Sequence, residues 1–390
     1  MSALRHIAVV SPRYAVGGTV GGAETLLRQL ALRLAGRGLR VSFLTTCARN
    51  HFTWENEIPP GVQQDGPLEV HYFPVDASRD VAVFLEHQGQ IDRRAELTLA
   101  QEQAWMANSV HSPALYEHLR TEGARYDRIL SGPYLFGVSY AAALIRPERT
   151  FLVPCLHDEP FAYLKIMREL FGAVRGLLFN SGPEMELARR LYDLPAGRGA
   201  VVGMGFEPFE ADANAFAARR KLAAPYVLYS GRRETLKGTP LLIEYVRLFR
   251  ELTKTDLRLV LTGSGPFDAY PFVLDVGFVS EQEKHEAMAG ARAFIHPSTM
   301  ESLGIVLLEA FLARTPALVH AKGEVLRWQC ERSGAGLWFR HYPDFHEELQ
   351  RLLGDDALRR RLGEAGRQYV LREYGWPAVE ARLLAALEGA

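Results

Sequence analysis

Twice along this chain a short apolar run ends in a glycine-rich loop and passes into a helical stretch. That repetition constrains the fold more than any other feature. Residues 6–10 (HIAVV) read as a strand and SPRYAVGGTVGG as a loop. Residues 23–36 keep Leu26, Leu27, Leu30 and Leu34 at helical spacing, and residues 39–46 form the next strand. Parallel strands need a crossover of this kind, so the opening βαβ pattern predicts a parallel sheet covered by helices. Further strands are expected at 128–131, 150–154, 175–180 and 200–203. Residues 49 to about 66 read as irregular, and 81–119 as helices with Pro113 starting a new one. The pattern restarts with a strand at 226–230, the loop GRRETLKG, a helix at 239–252 and a strand at 257–262 followed by GSGP. Strands at 276–279, 293–296 and 317–320 complete it. The join, near 204–224, reads as a linker or an early helix. The expectation is an α/β protein of two Rossmann-like domains with parallel sheets facing a cleft, residues 1–205 and 206–373.

Composition narrows the function classes. A chain of 390 residues with 48% apolar and 23% charged content is ordinary for a soluble globular protein, and it is long enough for two domains. A formal net charge of −1 creates no overall field that would favour nucleic acid or anionic lipid. Cys47, Cys155 and Cys330 show neither metal-ligand spacing nor a disulfide framework, which suits a reducing cytoplasm. No run of about 18 apolar residues is present, and the first apolar run is too short for a signal peptide.

The chemistry concentrates in HPSTMESLGIVLLEAFLARTP, residues 296–316. Seven residues separate Glu301 from Glu309, around a Ser302-Leu303-Gly304 that opens an apolar helical run continuing from Ile305. The first-turn N–H groups of such a helix have no intrahelical partner and favour an anion, so a phosphate belongs there. Glu309, one to two turns further on, can accept paired hydroxyls as a ribose offers them, and Glu301 can do the same for a second polyol. In the loop Gly231-Arg232-Arg233-Glu234-Thr235-Leu236-Lys237-Gly238, Arg232 and Lys237 supply two cations beyond a strand end, while Arg233 has no evident role. Gly17-Gly18-Thr19-Val20-Gly21-Gly22-Ala23-Glu24 follows the first strand and opens the first helix, a context for close backbone approach to a diphosphate. His157-Asp158-Glu159 follows a strand, with Asp158 placed to fix the His157 tautomer or, with Glu159, to cap the next helix.

These segments, in this order, resemble the retaining GT-B glycosyltransferases of the family 4 type, also called glycosyltransferases group 1. The resemblance lies in the Glu-x7-Glu segment, the Gly-Arg-x4-Lys-Gly loop, Gly21-Gly22-Ala23-Glu24, His157-Asp158 and the glycines of 262–266 and 277–280. It covers most of the chain and is more specific in the second half. It implies a GT-B fold in which the first domain serves the acceptor, the second binds a UDP- or GDP-sugar, and the helix at about 374–390 returns to the first domain. It implies that Arg232 and Lys237 hold the donor diphosphate, that His157 and Glu301 contact the sugar, and that Glu309 holds the ribose. Gly21, Gly22, Gly231, Val279, Ser302, Leu303, Gly304 and Ile305 line the rest of the donor site. No metal and no cofactor are expected, since cations and helix dipoles would stabilise the leaving diphosphate. Leu303, where an aromatic is common, and Arg314, where a glycine is common, depart from the family pattern without removing a group the chemistry needs.

The expected activity is retaining, metal-independent hexosyl transfer to a sugar or lipid-linked acceptor, in glycan, polysaccharide or glycolipid biosynthesis. Acceptor choice is expected to lie in residues 49–119. A non-catalytic nucleotide-sugar-binding partner and a GT-B-like phosphorylase or epimerase are the alternatives. The expected location is cytoplasmic, with peripheral contact at the inner face of a membrane left open. The mixed apolar and basic stretch 161–178 fits either a bilayer surface or a buried amphipathic helix, the buried reading being preferred.

Overall fold

In the computed structural model, which describes residues 4–15, 21–267 and 269–389, the chain divides into two compact units, Met1–Met204 with Val379–Ala390 and Gly205–Ala378. Gly17, Gly18, Thr19 and Val20 of the first glycine loop lie outside the described residues.

The first unit is built on eight strands: β1 (His6–Val10), β2 (Arg40–Thr46), β3 (Gly61–Asp65), β4 (Leu68–Phe73), β5 (Arg128–Ser131), β6 (Thr150–Leu152), β7 (Gly176–Phe179) and β8 (Gly199–Val201). Their order is β3-β4-β2-β1-β5-β6-β7-β8, parallel throughout except for β3 against β4. Four of the five residues of β1 are fully buried apolar side chains, as expected of a strand covered by helices on both faces. The β3–β4 hairpin corrects the expectation of irregular chain up to residue 66. GVQQD is a largely exposed edge strand with no apolar alternation, so periodicity gave no warning of it. Residues 81–119 resolve into helices Val81–Asp92, Leu99–Ala107 and Pro113–Glu122, the last with its proline in the first turn. The stretch 161–178 packs inward. Ile166, Met167, Leu170 and Phe171 of helix Lys165–Ala173 are all 0% exposed, and no helix among the described residues is long and apolar enough to cross a membrane.

The last helix, Trp376–Gly389, gives its second part to the same unit. There Glu380 pairs with Arg37 at 2.5 Å, Arg128 donates to the Leu387 carbonyl at 2.9 Å, and Arg382 donates to the Val202 carbonyl at 3.0 Å. Val379, Leu383 and Leu387 are buried beside these polar ties. Helical spacing makes such a helix amphipathic; only the tertiary contacts say which surface it covers.

The second unit carries six parallel strands: β9 (Tyr226–Ser230), β10 (Arg258–Thr262), β11 (Val273–Gly277), β12 (Phe294–His296), β13 (Ala317–His320) and β14 (Gly336–Phe339), in the order β11-β10-β9-β12-β13-β14. The strand expected at 276–279 lies three residues earlier. Gly277, at φ 64°, ends it, and Ser280 instead caps helix Glu281–Gly290 by accepting the Glu283 N–H at 3.1 Å. The strand order reverses between β9 and β12. In open α/β sheets that reversal leaves a crevice at the strands' C-terminal ends, where ligands bind. The loops bearing Lys237 and Glu301 leave these two strands. Within the join, Ala215–Arg220 is a short helix.

Candidate functional site

Close backbone packing brings the two loops together. After β9 the chain passes through Gly231 (φ 147°), a 3-10 turn at Thr235–Lys237, and Gly238 (φ 73°), which precedes helix Thr239–Thr253. A Cβ on Gly238 would lie 3.0 Å from the Pro297 carbonyl oxygen, so both its conformation and its closeness to the β12 loop require glycine. With the loops so pressed together, Lys237 Nζ lies 2.7 Å from Glu301 Oε1 and 3.3 Å from the Met300 carbonyl. His296 Nε2, at the end of β12, is 3.6 Å from the same carboxylate oxygen. Burial, with Lys237 adding to it against the pull of Glu301, pushes the His296 imidazole down to about 4, so it is neutral at pH 7. Three titratable groups from two loops thus form one cluster. Seven-residue spacing pointed to Glu301, whereas His296, at the head of the same segment, was given no role.

Gly304 (φ 82°) precedes helix Ile305–Leu312, and a Cβ there would meet Leu326 Cδ2 at 2.6 Å. Gly304, in the N-cap position, has no side chain to cap this helix start. Leu303 and Gly304 are buried, whereas Glu301, Ser302, Ile305 and Glu309 are partly exposed. Leu303 therefore acts as scaffold, its carbonyl accepting from Gln329 at 3.2 Å.

The adjacent arginines of the β9 loop have opposite environments. Arg232 is 60% exposed beside Glu234 at 3.1 Å. Arg233 is 5% exposed, donates to the Gly265 carbonyl at 2.7 Å, pairs with Asp275 at 2.9 Å and stands over the Phe267 ring. Its backbone also donates to the Ser264 carbonyl at 2.7 Å. A Cβ on Gly263 would fall 2.3 Å from the Gly231 carbonyl. The glycines of GSG and GRR thus allow two loops to mesh, and Arg233 is the pin between them. Val279 follows on the next loop, partly exposed beside an exposed Phe278.

Glu309, 13% exposed, pairs through Oε1 with Lys284 Nζ at 3.0 Å, and Lys284 also reaches Glu281 at 2.8 Å. Among the described residues, Glu281, His285 and Glu309 form a group whose ligating atoms all lie within 4.8 Å, a juxtaposition that spacing in the sequence did not suggest. The Lys284 ammonium already stands against two of its carboxylates.

The first unit holds Gly21, Gly22 and His157. Gly21 is the residue before helix Gly22–Gly36, and Glu24 stands in that helix's first turn, buried and paired with Arg13 at 2.5 Å. Arg13 also donates to the Arg49 carbonyl at 3.1 Å. His157 Nδ1 faces Glu159 at 3.8 Å, and Glu159 accepts from the Tyr134 hydroxyl at 2.8 Å. Asp158 turns elsewhere, to the Tyr163 hydroxyl at 2.7 Å and Arg190 at 3.3 Å. This corrects the expectation that Asp158 fixes the His157 tautomer; the carboxylate facing the ring is Glu159. Neither acid caps the following turn. The loop is tied down by Glu184, whose carboxylate accepts the Leu156 N–H at 2.6 Å and the Asn180 N–H at 2.5 Å. Burial pushes Glu184 up to about 8 against those hydrogen bonds.

Residues 211–369 match the family described as Glycosyl transferases group 1. The match spans most of the second unit, and the chain has the GT-B fold. It is 25% identical over 417 aligned positions to the D-inositol 3-phosphate glycosyltransferase of Stackebrandtia nassauensis, covering 95% of this chain and 87% of that one. It is 29% identical over 201 positions to the alpha-D-kanosaminyltransferase of Streptomyces kanamyceticus, covering 45% of this chain and 50% of that protein. Among solved structures, Anabaena HepE in complex with UDP and glucose superposes with a TM-score of 0.72 at 16% identity, over 99% of this chain and 100% of that one. The sucrose-phosphate synthase of Thermosynechococcus elongatus does so with 0.70 at 19%, over 97% of each chain.

Proposed function

We propose that this protein is a glycosyltransferase that moves a hexose from a UDP- or GDP-sugar to a sugar or lipid-linked acceptor with retention of anomeric configuration and without a metal ion. The observation that carries the reading is the Lys237–Glu301 contact, 2.7 Å long, beside the helix start at Gly304 and at the switch point of the second sheet. A cation, a carboxylate and a helix N-terminus in one place suit a phosphate with a sugar attached to it. Arg232, exposed on the same loop, would add charge to the leaving diphosphate, and preorganised charge of this kind is usually the largest catalytic term. Glu301 would hold sugar hydroxyls and Glu309 the ribose. Anabaena HepE, which shares this fold, is solved in complex with UDP and glucose and with UDP-glucose, which supports a uridine donor.

A thermal-shift panel of UDP- and GDP-sugars would identify the donor, because a ligand that binds only the folded state raises its melting temperature. Turnover of that donor follows in excess EDTA, with acceptors that include D-inositol 3-phosphate, since the chain is similar to D-inositol 3-phosphate glycosyltransferases. The product's anomeric proton coupling is then read by NMR. Retention with undiminished rate is expected. Inversion, or a loss of rate in EDTA that magnesium restores, would refute the mechanism.

A further inference from the structure

We propose that Lys284 is a positioning residue for donor binding, its ammonium holding the Glu309 carboxylate as the acceptor for the ribose hydroxyls of a nucleoside diphosphate. The inference rests on the reading of Glu309 given above and adds a residue that none of the sequence motifs contains. Lys284 lies on helix Glu281–Gly290 and Glu309 on helix Ile305–Leu312, so tertiary packing alone makes the pair. The Lys284 and Glu309 side chains are only 16% and 13% exposed, so the pair is well shielded from water. Glu309 Oε2 is buried with no hydrogen-bond partner among the described residues. A carboxylate has about four lone-pair sites, and Lys284 uses one of them. The χ3 torsion of glutamate is soft, so the remaining acceptors can turn to a vicinal diol while the ammonium keeps its bond.

The electrostatics run the same way. Burial raises the Glu309 carboxyl, Lys284 opposes that rise, and Glu281 adds slightly to it. Burial would lower Lys284, but Glu309 and Glu281 outweigh it and hold the ammonium protonated. Of the other titratable groups on elements packed against Glu309, His285 comes within 4.8 Å of its carboxylate but stacks on Phe209 at 3.5 Å, with its pKa lowered by burial and by Lys284. Glu283 and Glu286 pair with Arg220 and Arg219. On helix Asp356–Glu373, Arg367 pairs with Glu210 and Glu364 with Arg314. On β12, His296 faces Glu301, and on β13 His320 accepts the Lys322 N–H. Lys284 is thus the one cation close to Glu309 among the described residues. Without it the buried carboxyl would take up a proton at higher pH and cease to be a charged acceptor.

Calorimetric titration with UDP and with GDP from pH 6 to 9 tests this on wild type, Lys284→Met, Lys284→Arg and Glu309→Gln. The ligand's own phosphate titration is common to all four proteins, so affinities are compared as ratios to wild type. Lys284→Met is expected to bind about tenfold or more weakly at pH 7 and to recover toward wild type as pH rises, because Glu309 then ionises. Lys284→Arg should stay near wild type, and Glu309→Gln should bind weakly at every pH. Wild-type binding by Lys284→Met alongside weak binding by Glu309→Gln would overturn the role of Lys284 and leave that of Glu309 standing. Wild-type binding by Glu309→Gln, or no binding of either nucleotide to the wild-type protein, would overturn the ribose assignment and the proposal with it. A loss in Lys284→Met that does not change with pH and is not rescued by arginine would mark Lys284 as merely structural.

Discussion

Removing the charge of Lys237 should act on Glu301 as much as on any ligand. The two side chains are 23% and 18% exposed and 2.7 Å apart, so roughly a fifth of each remains in water. Charged hydrogen bonds are worth about 1.5–3 kcal/mol net. Solvent contact favours the lower part of that range, and about 1–2 kcal/mol of coupling follows. A double-mutant cycle of Lys237→Met, Glu301→Gln and the pair, read by urea unfolding, measures it directly. Donor binding should be strongly non-additive as well, since each single change already breaks the cluster. A third readout comes from His296. Lys237 helps to hold that imidazole at about 4, and Glu301 pulls the other way. Lys237→Met should therefore raise the His296 titration midpoint, and Glu301→Gln should lower it, as followed by NMR. Stabilities that add to within about 0.3 kcal/mol would show that the contact carries no energy. A His296 midpoint that ignores both substitutions would show that the three groups do not form one cluster.

The neighbouring arginines of the β9 loop give a sharper contrast than either alone. Arg233→Ala should cost about 2 kcal/mol of stability in urea unfolding, because it removes a buried guanidinium that bonds both the Gly265 carbonyl and Asp275. Arg232→Ala should leave stability within about 0.5 kcal/mol while lowering turnover, given its exposed position. Glu184 sets a pH dependence of stability. Its folded carboxyl titrates at about 8, above the ordinary 4.5, so the folded state holds the extra proton between those values and stability falls as pH rises through that window. Urea midpoints at pH 5.5 and 8.5 should differ less in Glu184→Gln than in wild type. An unchanged difference would mean that Glu184 is already ionised when folded.

Local sequence determined the alternation of strands and helices, because buried parallel strands must be apolar and crossover helices must be amphipathic. That is why β1, β5, β9 and β13 lie where the apolar runs do. It also marked the glycines at 231, 238 and 304, whose positive φ admits little else, and the two glutamates seven apart. The polar edge strand β3 escaped notice because it buries almost nothing. Which polar groups meet was decided only in three dimensions. Among the partners of Glu301, Glu309 and His157 are Lys237 with His296, Lys284, and Glu159; of these, Lys237 and Lys284 are distant in sequence. Arg232 and Arg233 are chemically alike and adjacent in the chain, yet one is solvated and the other buried as a pin between loops. A residue's type states what it can bond to. Its burial and its neighbours, which depend on strand order and on loops closing over glycine, decide what it does bond to, and hence its charge and its role.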